Sequence, residues 1–286
     1  MRRENHIQNK FSTVEVLAGD LGTKKLPNLP ESNSALSMVE HNGKILLCGG
    51  LNNYEKCLQL DDGTWKEHST LNRIRILHSA VTTQTATFVF GGLFRSDTYE
   101  YLPKDSNTWL MGKTRIPGGF LEGSAIAVDS GNMIWLIGGS QTCKRILSFS
   151  VNDHTFRELP FQLNVGRVGH RCAFIPNTNK IIVTGGADTA NNYSKWFVNS
   201  TEIIDAKDGS VTMASRRMNN SRKGHGIGVF TINGVDRVAV IGGKLDSVEL
   251  YNTKTKRWEN TKIKLNEPKM LFGFLTVKLS DVISNL

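Results

Sequence analysis

IIVTGG, residues 181–186, is the stretch whose reading decides the fold. A short run of strand-forming residues enters two adjacent glycines. The arrangement recurs as ILLCGG (45–50), TFVFGG (87–92), IWLIGG (134–139) and VAVIGG (238–243). The diglycines begin at 49, 91, 138, 185 and 242, in steps of 42, 47, 47 and 57 residues. A period in this range marks a repeat architecture, in which one small unit stacks on the next. Each run is about four residues rich in Val, Ile, Leu or Phe, which predicts a buried strand.

Two further markers keep step with the first. Trp65, Trp109 and Trp258 follow their diglycines by 15, 17 and 15 residues, and Phe156 follows Gly139 by 17. Glu100 and Glu249 stand nine residues before Trp109 and Trp258, and Glu202 stands nine before Val211. Ahead of three diglycines comes the spacing R-x-x-H, at Arg75/His78, Arg167/His170 and Arg222/His225. Turn segments such as DSGN, PNTN and NGVD divide each unit into four short strands. Without a convincing helical period anywhere, such sheets have two faces to bury and only each other to bury them on. Radial stacking around an axis solves that problem. The glycines mark backbone crowding or positive φ, and the large aromatics supply packing area between neighbours. The Glu and R-x-x-H side chains are expected to exchange hydrogen bonds or charge.

This order of apolar strand, diglycine, third-strand Glu and fourth-strand Trp resembles the kelch repeat, over residues about 33–270. The resemblance implies an all-β, six-bladed β-propeller. Residues 1–10 read as a polar extension and 11–286 as a single propeller. Its blades fall at about 33–72, 73–116, 117–164, 165–219 and 220–266. Unit four departs from the pattern: Val211 replaces Trp, and the loop ADTANNYSKWFVNS lengthens it. A closing blade is expected from 267–286 plus 11–32, because Lys269, Phe272 and Gly273 align with Arg222, His225 and Gly226. Glu15 aligns with Glu249, and Lys24 stands where Trp258 does. Such closure removes open sheet edges. The missing diglycine and Trp leave two readings of this blade: a worn copy, or a chain cut from a longer one.

Hydrophobic residues at 39% and charged ones at 21% describe a globular chain with material for a core. No apolar stretch reaches membrane-spanning length, and MRRENHIQNK lacks a signal-like apolar segment. A cytoplasmic setting, with the nucleus as second choice, is expected. Cys48, Cys57, Cys143 and Cys172 show no paired-ligand spacing and read as free thiols, without a metal. No catalytic residue and no cofactor are expected, because His78, His170 and His225 are repeat positions rather than distinct converging groups.

Net charge is +9, with no basic block, which disfavours nucleic acid. By the resemblance, the inter-blade segments and the loops after the diglycines share a partner-binding rim. Arg75, Arg115, Arg167, Arg222 and Lys223 fall on the first, and Arg95, Lys144, Arg145 and Lys244 on the second. Arginines so arranged suit carboxylates, which they bind bidentately. Arg75, Arg167 and Arg222 have a competing structural reading through R-x-x-H. The expectation is therefore a monomeric, non-catalytic module that captures a protein partner, in particular an acidic peptide segment. Ubiquitin-ligase adaptors and actin binders are the kelch precedents. The alternative is a propeller enzyme acting on an anionic sugar or small acid, of sialic acid mutarotase or sialidase type.

Overall fold

The computed structural model describes residues 11–17, 23–119, 125–128, 133–139, 143–188, 197–270 and 272–276. Five four-stranded antiparallel sheets follow one another along the chain. Blade 1 holds β3 (Ser37–His41), β4 (Lys44–Cys48), β5 (Lys56–Asp61) and β6 (Thr64–Thr70). Blade 2 holds β7 (Ser79–Thr82), β8 (Ala86–Phe90), β9 (Tyr99–Pro103) and β10 (Leu110–Met111). Blade 3 holds β11 (Ala125–Val128), β12 (Met133–Ile137), β13 (Ile146–Ser150) and β14 (Phe156–Glu158).

Blade 4 holds β16 (Arg171–Ile175), β17 (Lys180–Thr184), β19 (Thr201–Asp205) and β20 (Val211–Met213). Its rim carries a two-residue ladder between β15 (Arg167–Val168) and β18 (Ala187–Asp188). Blade 5 holds β21 (Gly226–Ile232), β22 (Val235–Ile241), β23 (Leu245–Asn252) and β24 (Arg257–Lys269). The first strands β3, β7, β11, β16 and β21 touch in succession, which makes them the inner ring of a β-propeller.

The second strands carry the core. Leu46, Val89, Ile181, Ile182, Val183 and Val240 are wholly buried, because both faces of β4, β8, β17 and β22 meet another blade. The fourth-strand marker of each unit packs on the blade before it. Trp109 sits among Val39, Leu46 and Leu71 of blade 1, and Trp258 lies against Ile175, Ile182 and Met218 of blade 4. Phe156 closes on Phe88 and Phe90, while Val211 meets Trp135, Ile137 and Leu163.

The blade count differs from expectation: the described residues form five complete blades, not six. Among the described residues the sixth sector holds a hairpin of β1 (Val14–Leu17) and β2 (Thr23–Leu26), joined at the axis by 272–276. Trp65 of blade 1 nevertheless treats this sector as a preceding blade. It packs with Val14, Leu26, Leu29 and Leu275, and its indole donates to the Pro27 carbonyl at 2.9 Å. Phe274 fills the space beside Gly226, and Leu36 and Met38 close on Gly273, so the inner ring runs on through 272–276 to β3. β24 also reaches Lys269, beyond the expected end of blade 5 at 266. The DVISNL segment and the Lys24 side chain lie outside the described residues.

Cys48 and Cys57 form a disulfide, correcting their reading as free thiols. They are directly opposed across β4 and β5, a relation that only strand register creates. Cys143 and Cys172 are not joined in a disulfide, and burial pushes the Cys172 thiol well up.

Candidate functional site

The rim is built on a clamp used three times. Arg75, Arg167 and Arg222 are fully buried, each paired with an equally buried Glu100, Glu202 or Glu249. In blade 4 the Arg167 Nε donates to Glu202 at 3.0 Å, and its Nη1 donates to the carbonyl of the first glycine, Gly185, at 2.7 Å. Its Nη2 donates to Ser200 Oγ at 2.8 Å. The second Glu202 oxygen accepts from the Asn164 backbone and side chain. Asn72 plays the same part for Glu100, while at Glu249 the Asn219 backbone amide donates to the second oxygen and the Asn220 side chain to the first. The full motif is therefore N-x-x-R-x-x-H with [S/T]-x-E, a charged pair whose lone pairs and protons are nearly all satisfied, as a buried pair requires.

The sixth sector keeps the clamp in altered form. Lys269 Nζ lies 2.7 Å from Glu15 Oε1, and Asn266 donates to the other oxygen at 3.0 Å. Blade 1 has lost it: Asn33 stands for Arg and Leu58 for Glu. Asn33 Nδ2 still donates to the Gly49 carbonyl at 2.9 Å, and the Cys48–Cys57 bridge joins the same two strands.

The histidines explain the glycines. A Cβ on Gly49, Gly138 or Gly185 would stand 2.7–2.9 Å from Cε1 of the next blade's His78, His170 or His225. The second glycines, Gly92, Gly186 and Gly243, lie against the Cβ of their own blade's histidine, and all six have positive φ. Nε2 of His170 donates to the Ile137 carbonyl at 2.9 Å, while His78 and His225 bond Ser37 and Thr184 hydroxyls. Burial, with the neighbouring arginine, lowers the His78 and His170 pKa to about 3 and that of His225 well below the ordinary value. All three are neutral struts at pH 7.

This geometry removes Arg75, Arg167 and Arg222 from the expected partner-binding set, because no partner reaches a guanidinium buried against its own carboxylate. The other six expected residues are placed separately. Arg95, Lys144 and Lys244 are exposed, with Lys244 Nζ 5.5 Å from the Phe197 ring centre. Arg115 is exposed and paired with Asp97 at 3.1 Å. Arg145 leans on Glu158 at 3.4 Å and donates to the Pro117 carbonyl. The Lys223 stem crosses the space a Cβ on Gly169 would occupy. Among the described residues no group of His, Cys, Asp and Glu could hold a metal, and no helix is long and apolar enough to cross a membrane.

What converges at the axis is a ring of backbone. Ala35, Leu77, Gly169 and Gly224 each stand two residues after the clamp position, each with φ of 56–66°. Adjacent members bond directly, Leu77 N to the Ala35 carbonyl at 2.9 Å and Gly224 N to that of Gly169 at 2.7 Å. Just inside, the first residues of the inner strands are Ser37, Ser79, Ala125, Arg171 and Gly226, with Gly273 in the sixth sector. Arg171 is the single charge in that set.

The Arg171 guanidinium is half-buried. Among the described residues its side chain makes one hydrogen bond, from Nη1 to the neighbouring His170 carbonyl at 3.1 Å, and no ion pair. Burial lowers its pKa, and its charge depresses that of His225. Sequence reading missed this residue because it trails R-x-x-H in RVGHR. Aligning that stretch with RILHS and RKGHG exposes it.

Fold and clamp together define a β-propeller whose blades are pinned by buried Arg–Glu pairs around a cationic mouth. Solved structures share the fold: YjhT superposes with a TM-score of 0.71 at 12% identity, over 87% of this chain and 88% of that one. No family model matches, and no curated protein matches. The expectation of a non-catalytic interaction module without enzyme activity is set aside; with YjhT the chain shares its fold, and the propeller-enzyme alternative is taken up as a proposal. The burial of three of the nine expected rim cations weakens that module independently.

Proposed function

We propose that this chain is a kelch-type propeller enzyme acting on a small anionic substrate, an anionic sugar or a small acid, at the axial mouth. The observation that carries the reading is Arg171, a desolvated guanidinium on the inner ring that pairs with no carboxylate among the described residues. Such a group favours a carboxylate held bidentately. The kelch assignment is supported by the structural task found for each repeat marker: glycine beside imidazole, arginine on glutamate, aromatic on the preceding blade. The likeness in fold to YjhT supports an enzyme over a passive scaffold.

Of the two enzyme types, the sialidase form fits less well, since Arg75, Arg167 and Arg222 are spent on Glu100, Glu202 and Glu249 and make no triad. A mutarotase form asks that the acid be held while the anomeric hydroxyl loses a proton, the ring oxygen gains one and the ring C–O bond opens, and that the same steps run back on the other face. Exchange NMR on N-acetylneuraminate and glucuronate, whose anomers give separate signals, tests this. Interconversion should accelerate with the protein, and Arg171→Gln should lose at least about tenfold, the size of a charge-assisted bond. The reading fails if no acid binds saturably, or if Arg171→Gln leaves binding and exchange unchanged.

A further inference from the structure

The mouth is not uniform around the axis. On the side of blades 4 and 5 the ring residues are glycines, and the charges of Arg171, Lys223 and Lys244 stand there. On the side of blades 1 and 2 the ring residues are Ala35 and Leu77. With Ile76 they form an apolar cluster covered by half-exposed Leu51 and Leu93. The two arcs are separated by blade 3 in one direction and by 272–276 in the other, so they face each other across the axis.

The apolar arc is made of loop backbone tied in place: Leu51 N donates to the Ser34 carbonyl at 3.0 Å, and Leu93 N to that of Ile76 at 2.8 Å. Two of its residues hold conformations that side chains avoid, Leu77 at φ 56° and Phe94 at φ 74°. Blades 4 and 5 use glycine at the position of Leu77, so the repeat does not require the leucine; packing for its own sake would favour the relaxed residue. Phe94 is 72% exposed, the most open of the exposed large apolar side chains. An apolar surface held in strained backbone opposite an unpaired guanidinium calls for a ligand with both characters.

We infer that the substrate is an amphipathic carboxylate, its acid on Arg171 and its apolar part against Leu51, Leu93 and Phe94. This rests on the anionic-substrate reading above and, within it, ranks an acid with an apolar part over one polar on every edge. Glucuronate, polar on every edge, would leave the leucine arc in contact with hydroxyls.

The test is calorimetric titration of the whole protein at pH 7 with acetate, hexanoate and glucuronate. Hexanoate should bind about tenfold or more tighter than acetate, as expected when four added methylenes are only partly buried. Arg171→Gln should weaken both by tenfold or more. Leu51→Ser/Leu93→Ser should bring hexanoate down toward acetate and leave acetate unchanged. The chain-length series in the wild-type protein stands even where that double variant folds poorly. Glucuronate binding as tightly as hexanoate, or chain length without effect, overturns the amphipathic assignment and leaves the anion site standing. Failure of all three acids to bind the wild-type protein overturns both.

Discussion

Replacing Glu202 by Leu puts the clamp to a quantitative test. The Glu202 carboxylate accepts from Arg167 Nε, from the backbone and side-chain amides of Asn164, and from the Val165 amide. Its loss strands a guanidinium with no exposed surface, and breaking a buried pair from one side costs about 3–5 kcal/mol. For a chain of this size that corresponds to a fall in Tm of roughly 6–10 °C. Blade 1 indicates how to undo the damage, because Asn33 and Leu58 occupy the Arg and Glu positions there without any charge. Asn33 still satisfies the Gly49 carbonyl.

The double variant Arg167→Asn/Glu202→Leu transplants that solution, removing the orphan charge and keeping a donor for Gly185. It should be more stable than Glu202→Leu alone by at least ~1–2 kcal/mol, read as a shift in urea midpoint at unchanged slope. A single variant costing under about 1 kcal/mol, or a double variant no better than the single, would refute the account of the clamp as a buried, mutually dependent pair.

Other expectations follow from the same contacts. The His78 and His170 pKa near 3 lies below the unfolded value of about 6.5, so each imidazole stabilises the fold above pH 6.5. That stability is lost as pH falls from 6.5 toward 3, at about 1.4 kcal/mol per pH unit for each group. Urea midpoints at pH 7 and 5 should differ accordingly, and a flat profile would mean these histidines take up protons in the fold as readily as in the unfolded chain. Reducing Cys48–Cys57, which closes a loop of 9 residues, should cost about 2–3 kcal/mol, measured by denaturation with and without dithiothreitol. Cys57→Ser should make dithiothreitol irrelevant to the midpoint. Deleting residues 1–30 removes Glu15 from Lys269 and Val14, Leu26 and Leu29 from Ile45, Leu47 and Leu60. Tm should then fall sharply and the protein should aggregate; an unchanged melting curve would show that the hairpin does not seal the ring.

The repeat was legible because each marker is local. A diglycine after a strand can be counted along the chain, and so can the R-x-x-H, Glu and aromatic positions. The Asn of N-x-x-R-x-x-H was equally present in the text at Asn72, Asn164, Asn219 and Asn266. It went unread because asparagine before a turn has a sufficient local explanation. Lys269 and Glu15, separated by 254 residues, were aligned with the clamp by repeat frame alone, and they meet. The frame could not say which arginines would be spent inside the fold and which would remain for a ligand. Arg167 and Arg171 lie four residues apart, one satisfied by a carboxylate of its own blade and the other by none among the described residues.

The sequence by itself determined the class of fold, the strand order within a blade and the residues that hold blade to blade, since these depend on periodic chemistry a few residues apart. Tertiary structure alone decided the pairing of Cys48 with Cys57, the burial of Arg75, Arg167 and Arg222, and the isolation of Arg171 at the axis. The physical reason is that register and ring closure bring together groups with no fixed spacing along the chain. Whether a charge is a strut or a site is then set by the partner that closure places beside it.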